Sequence, residues 1–190
     1  MRELINMIVV LSLISGASGL SLAYLKEVTA KPIEEQVLLN VQGPAIKAVF
    51  AGAENDPIAE RKKFDTPEGP VTVFPAKKGG KLTAVALEAF GPGYGGQIGV
   101  IVGIDIAKGT LAGIGVTTLK ETPGLGMRVT EAKYQTQFKG LALDKVGLSG
   151  KGGSIDAVSG ATISSTGTVT AANKAIEVYK SLKPKLEGAF

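Results

Sequence analysis

The sequence predicts an α+β domain, an antiparallel sheet with flanking helices, preceded by one N-terminal transmembrane helix. Three observations carry this prediction. A run of 22 uncharged residues, Leu4 to Leu25, opens the chain. The middle of the chain strings together short apolar and β-branched runs separated by Gly and Pro turns, the mark of consecutive strands. Near the C-terminus Val169, Ala172, Ile176, Tyr179 and Leu182 recur at three- and four-residue steps, the spacing of one buried helix face. The 26 glycines are too many for a helical bundle and suit tight turns in a sheet.

Taken in order, residues 1–30 form the anchor. About 20 apolar residues span the hydrocarbon core of a bilayer. The small residues Ser15 to Gly19 would let neighbouring membrane helices approach closely. A cleaved signal peptide, with Ser21-Leu22-Ala23 as its small-x-small site, and a buried core helix are the competing readings. Arg2 precedes the run while Lys26 and Lys31 follow it, so charge gives no support for an exported domain. Residues 31–70 read as a helical or irregular connector. Lys31-Pro32 breaks the helix there, Ile33 to Phe50 forms a second one, and Ala51 to Pro70 is a polar, Pro-containing stretch.

Residues 71–190 form the globular domain. Strands are expected at Val71 to Phe74, Lys81 to Ala89, Ile98 to Ile106 and Leu111 to Thr118, with a hairpin turn at Ala107 to Thr110. Val129 to Phe138 looks helical, and the last helix runs from about Ile163 to Leu182.

Composition removes several chemistries. With no cysteine and no histidine, thiolate-bound clusters, Cys or His zinc sites and Ser-His-Asp triads are unavailable. The net charge of +4 is modest and its basic residues are scattered, so no nucleic-acid partner is expected.

Three glycine-bearing motifs remain. Gly91-Pro92-Gly93-Tyr94-Gly95-Gly96 formally matches the dinucleotide fingerprint, but a strand-like segment follows it where a helix is required. The Rossmann reading is rejected, leaving a wide loop with Tyr94 as an exposed aromatic. Lys120 to Gly126 is a Pro-Gly turn with bared backbone, by itself a strand-to-helix connection. Asp156-Ala157-Val158-Ser159-Gly160-Ala161-Thr162 places small residues before the last helix. The orphan amides and the dipole of a helix start favour an anion there. An ordinary N-cap by Ser159 or Thr162 satisfies the same pattern, and Asp156 reads as a turn or capping residue.

Together these motifs resemble the FMN-binding domain of bacterial ion-pumping respiratory complexes. Proteins of that kind include the G subunit of the Rnf complex and the C subunit of the sodium-pumping NADH:quinone oxidoreductase. The resemblance rests on D-A-V-S-G-A-T ending at Thr162, on E-T-P-G-L-G from Glu121 to Gly126, and on the Gly-Tyr-Gly-Gly loop around Tyr94. It covers roughly residues 81 to 182. Leu119 stands where such proteins frequently carry histidine.

The resemblance implies FMN joined covalently by a phosphoester to Thr162. The remaining candidate cofactor-binding residues are Ser159, Gly160, Ala161, Glu121, Thr122, Gly124, Leu125, Tyr94 and Gly95. It also implies a flavin transferase for maturation, other members of a membrane redox complex and membrane lipid as partners. The soluble domain would lie on the extracytoplasmic side of the bacterial inner membrane. The function implied is an electron-carrying subunit of an Rnf-type ferredoxin:NAD oxidoreductase, with no stand-alone active site. A protein like the C subunit of the sodium-pumping complex and a non-redox anchored binding module are the alternatives.

Overall fold

Helix α1 (Arg2–Val37) carries the apolar run on a continuous exposed surface and buries none of its own residues. Among the described residues it belongs to the one helix long and apolar enough to cross a membrane. Pro32 sits inside α1 and does not end it, contrary to the expected break at Lys31-Pro32. A proline removes one backbone donor and crowds the preceding turn. That loss is local, and the flanking residues hold the helix on to Val37. In this computed structural model every residue except Glu68 and Glu187 is described. The chain divides into two compact units, Met1–Asn40 and Val41–Phe190.

A π-helical turn, Leu38–Gln42, leads into the short helix α2 (Gly43–Val49), with Pro44 in its first turn. The expected helix from Ile33 to Phe50 is thus divided between the end of α1, this turn and α2. Five strands follow as an antiparallel meander in chain order: β1 (Lys62–Thr66), β2 (Gly69–Lys78), β3 (Lys81–Pro92), β4 (Gln97–Asp105) and β5 (Thr110–Thr118). Strand β1 lies in the stretch expected to be irregular, where Glu68 falls outside the described residues. Its register, Lys62 opposite Val73 through Thr66 opposite Gly69, makes it the edge partner of β2. The β4–β5 hairpin turns where expected. There Asp105 accepts the Lys108 N–H at 2.9 Å and its carboxylate lies 3.1 Å from Lys108 Nζ.

Alternation along β3 and β4 assigns two buried faces. Val85, Leu87 and Ala89 with Ile98, Val100, Val102 and Ile104 join Val169, Ala172, Ile176, Tyr179 and Leu182 of helix α4 (Thr162–Leu186) in the main core. Full burial of each Val, Leu or Ile among them stabilises by about 1.5–3 kcal/mol. The opposite face receives α2. Here the strands carry glycine because the helix comes too close for anything larger. A Cβ on Gly103 would stand 2.2 Å from Val49 Cγ1, and one on Gly115 2.7 Å from Ala45 Cβ.

The segment from Val129 to Phe138 is not one helix. It divides into a 3-10 turn (Gly126–Thr130), the four-residue α3 (Ala132–Gln135) and a second 3-10 turn (Thr136–Phe138). Its buried residues Val129, Tyr134 and Phe138 are five and four positions apart, so a single straight helix could not aim all three inward. An extended backbone at Glu131 (φ −67°, ψ 142°) makes the correction. Tyr134 then stacks edge-on with Phe138 at 5.6 Å and donates its phenol to Ser165 O at 3.2 Å. Burial pushes that phenol up to about 12, with the side-chain hydroxyls of Ser165 and Thr168 opposing the shift.

The start of α4 meets the end of β3 backbone to backbone. A Cβ on Gly167 would lie 2.4 Å from Pro92 O, and one on Gly91 1.9 Å from Gly167 O.

Two outcomes follow from these contacts. Gly167→Ala gains about 1 kcal/mol of helix propensity but overpacks against main chain, which costs about 1–3 kcal/mol at the upper end here. Thermal unfolding of the full chain in detergent should show a midpoint a few degrees lower; an unchanged or higher midpoint refutes the backbone contact. Tyr134 has a folded pKa raised above the unfolded value. The stability it contributes is therefore complete below pH about 10 and lost as pH rises through about 12. Tyr134→Phe should lower stability at neutral pH by about 1 kcal/mol and flatten the loss above pH about 10 seen by denaturant titration.

Candidate functional site

Three loops meet above the first turn of α4. The β3–β4 loop brings Tyr94, the segment after β5 brings Glu121, Thr122, Leu125 and Gly126, and the turn into α4 brings Gly160 to Ser164. They enclose an open cleft of about 510 Å³, within the usual range of small-ligand sites, about 300–1,000 Å³. Thr162 is the first residue of α4 and is exposed at this cleft. Tyr94, Leu125 and Ile163 are 75%, 48% and 53% exposed, so its walls are apolar and open to solvent.

The turn that presents Thr162 is built by its own sequence. Gly160 adopts φ +78°, a left-handed conformation that costs a residue with a Cβ about 1–2 kcal/mol. Its bare Cα also leaves room for Leu125, whose Cδ2 would sit 3.3 Å from a Cβ there. The Ala161 N–H closes the turn onto Val158 O at 2.9 Å. Ser165 Oγ accepts the Val158 N–H and donates to Ala161 O, both at 3.0 Å. Further back, Gln137 clamps Asp156 from both sides. Its Oε1 accepts the Asp156 N–H at 2.8 Å and its Nε2 donates to Asp156 O at 3.2 Å. The N-cap expected of the Ser159 or Thr162 side chain is not among the hydrogen bonds of the described residues; Ser165 Oγ instead ties down the turn ahead of α4 through the Val158 N–H. Asp156 takes its place through its backbone.

Glu121 is the buried acidic residue of the cleft, 8% exposed. Its Oε1 accepts the Gly95 N–H at 2.9 Å, and its Oε2 accepts the Ser164 hydroxyl. Ser164, Gly126 and Ile163 also line the cleft, though none was among the candidate cofactor-binding residues. The signal for Ser164 was available, since it shares a helix start with Thr162, but a hydroxyl inside a helix usually bonds its own backbone.

The sequence-predicted residues divide accordingly. Tyr94, Glu121, Thr122, Leu125, Gly160, Ala161 and Thr162 line one cleft. Ser159 lines a neighbouring one of about 460 Å³ with Arg128, Tyr134 and Gln137. Gly124, at φ +74°, shapes the Pro-Gly turn and is not among the lining residues. Gly95 reaches the site through its bond to Glu121. Among the described residues no cluster of acidic side chains could hold a metal ion.

These residues fit FMN. A flat apolar ring suits the walls formed by Tyr94, Leu125 and Ile163. A phosphate suits the α4 start, where the first amides lack partners within the helix.

The model of the FMN-binding domain family matches residues 93–177, a span that includes every loop of the cleft. The G subunit of the ion-translocating oxidoreductase complex of Cereibacter sphaeroides is 34% identical over 185 residues, covering 93% of this chain and 84% of the relative. The G subunit of the Na(+)-translocating ferredoxin:NAD(+) oxidoreductase complex of Acetobacterium woodii is 30% identical over 192 residues, covering 91% and 90%. Among solved structures, the C subunit of the Na(+)-translocating NADH-quinone reductase of Parabacteroides distasonis superposes with a TM-score of 0.52 at 26% identity. That match covers 60% of this chain and 62% of the other. With a cleft suited to an anionic, apolar-ringed ligand and relatives matched along most of their length, the chain belongs to the G-subunit family of ion-translocating oxidoreductase complexes and carries its FMN-binding domain.

Proposed function

We propose that this chain is a membrane-anchored flavoprotein that carries electrons within an ion-translocating ferredoxin:NAD oxidoreductase, with FMN held by a phosphoester to Thr162 Oγ1. The observation that carries the reading is the position of Thr162. It is the exposed first residue of α4, beside amides that have no acceptor within the helix, at the rim of the apolar cleft.

Attachment needs a nucleophile that a donor can reach and a seat for phosphate charge. Thr162 supplies the first, and the start of α4 the second. In the maturation step the Thr162 Oγ1–phosphorus bond forms as the bond from that phosphorus to AMP breaks. FAD is the donor, AMP leaves, and the hydroxyl proton passes to a base of the flavin transferase. Once bound, FMN supplies reversible uptake of electrons and protons. Gly160 and the Ser165 bonds hold the attachment point still, while Tyr94, Leu125 and Ile163 form the apolar walls. An open cleft suits a carrier, because an edge of its cofactor must face the partner.

The apolar run of α1 is the anchor, in contact with lipid and with other members of the complex. The second unit stands on the extracytoplasmic side. A role like that of the C subunit in a sodium-pumping NADH:quinone complex is the second reading. Coverage of 84% and 90% of the G-subunit relatives against 62% of the C-subunit structure favours the first.

Expression of the full chain with a flavin transferase tests the attachment. Wild type should fluoresce yellow on a denaturing gel and gain the mass of FMN less one water. Thr162→Ala should lose both, and Thr162→Ser should keep the adduct. Fluorescence retained by Thr162→Ala, or absent from wild type, overturns the reading.

A further inference from the structure

The carboxylate of Glu121 lines the cleft, yet each of its oxygens is already engaged by the protein. Oε1 takes the Gly95 N–H at 2.9 Å and Oε2 takes the Ser164 hydroxyl. These two donors come from different parts of the chain, 26 residues before Glu121 and 43 after it. The surrounding backbone is shaped to this carboxylate. A Cβ on Gly93 would lie 2.5 Å from Oε1, and one on Gly126 would lie 2.5 Å from Oε2 and 2.6 Å from Ser164 Oγ. A buried charge is tolerated only when its hydrogen-bonding capacity is met, and charge-assisted bonds are stronger than neutral ones.

We propose that Glu121 is a positioning residue for flavin attachment. It ties the Gly-rich loop and the first turn of α4 to one another, and so fixes Thr162 at the angle a phosphoryl donor must meet. The inference rests on the attachment reading above. Glu121 acts through Ser164, which lies two residues beyond Thr162 on the same turn, and touches neither donor nor acceptor oxygen itself. An isosteric amide can keep both ties. Its oxygen accepts from Gly95, while its NH₂ donates to a Ser164 hydroxyl that has turned round. A methyl group keeps neither.

The test is the steady-state rate of FMN transfer from FAD to the full chain in detergent, catalysed by a flavin transferase, below the unfolding temperature of every variant. A misplacement of about 1 Å can cost about a hundredfold in rate, so Glu121→Ala should lower kcat by about tenfold or more, with the KM for FAD unchanged. Glu121→Gln should recover the rate to within about threefold of wild type, because the ties return. Should the alanine variant fail to fold, Ser164→Ala removes the helix arm alone and should lower kcat in the same direction. Amide exchange at Gly95 supplies a readout that needs no flavin: slow in wild type, fast in Glu121→Ala. A wild-type kcat in Glu121→Ala, or a glutamine variant as slow as alanine, overturns the proposal. Equal Gly95 exchange in both proteins overturns the tie itself. Wild type that takes up no FMN while Gly95 exchange still responds to Glu121 would instead refute the attachment reading.

Discussion

At Gly91 and Gly167 strand β3 and helix α4 meet backbone to backbone, and the functional end of the molecule is organised around that contact. Gly167 sits against Pro92 O and Gly91 against Gly167 O, so the helix lies directly on the strand at the point where β3 gives way to the Gly-rich loop. The first turn of α4 therefore emerges beside Tyr94 and Gly95. The segment after β5 closes the third side because the meander returns β5 next to β4. A bulkier residue at either glycine would lift the helix and separate Thr162 from the loops that form the cleft walls. Packing of the main core and geometry of the site are consequences of the same approach.

Much of this was legible in the residues. The four long strands, the hairpin at Asp105 and the buried stripe of α4 follow from apolar periodicity, because two covered faces make β3 and β4 nearly continuous apolar runs. Strand β1 escaped notice because Lys62, Lys63 and Asp65 give it the look of a solvated edge, and its pairing with β2 is settled by tertiary context. Pro32 misled in the other direction: proline weighs against a helix locally, yet one lost donor does not end a long one.

The site shows the same division. Thr162, Gly160 and the Glu121 to Leu125 segment are marked by motif, since backbone conformation and exposure are properties of short stretches. What a short stretch cannot show is which distant donors a buried group will meet. Glu121 read as one of several loop residues near a cofactor, and only the fold brings Gly95 and Ser164 onto its two oxygens. Ser159 illustrates the converse. Inside the motif, it faces a different cleft from Thr162, because the turn at Gly160 separates the two residues.

Apolar exposure and chain chemistry point the same way. Tyr94, Leu125 and Ile163 are large, exposed and gathered at one cleft, a surface that a cofactor ring and a partner protein would cover. A crystal structure of the chain after coexpression with a flavin transferase tests the central claim most directly. Density should run continuously from Thr162 Oγ1 to a phosphate at the start of α4, with the ring between Tyr94, Leu125 and Ile163. A phosphate joined elsewhere, or a ring lying over Arg128 and Ser159 in the neighbouring cleft, would contradict it.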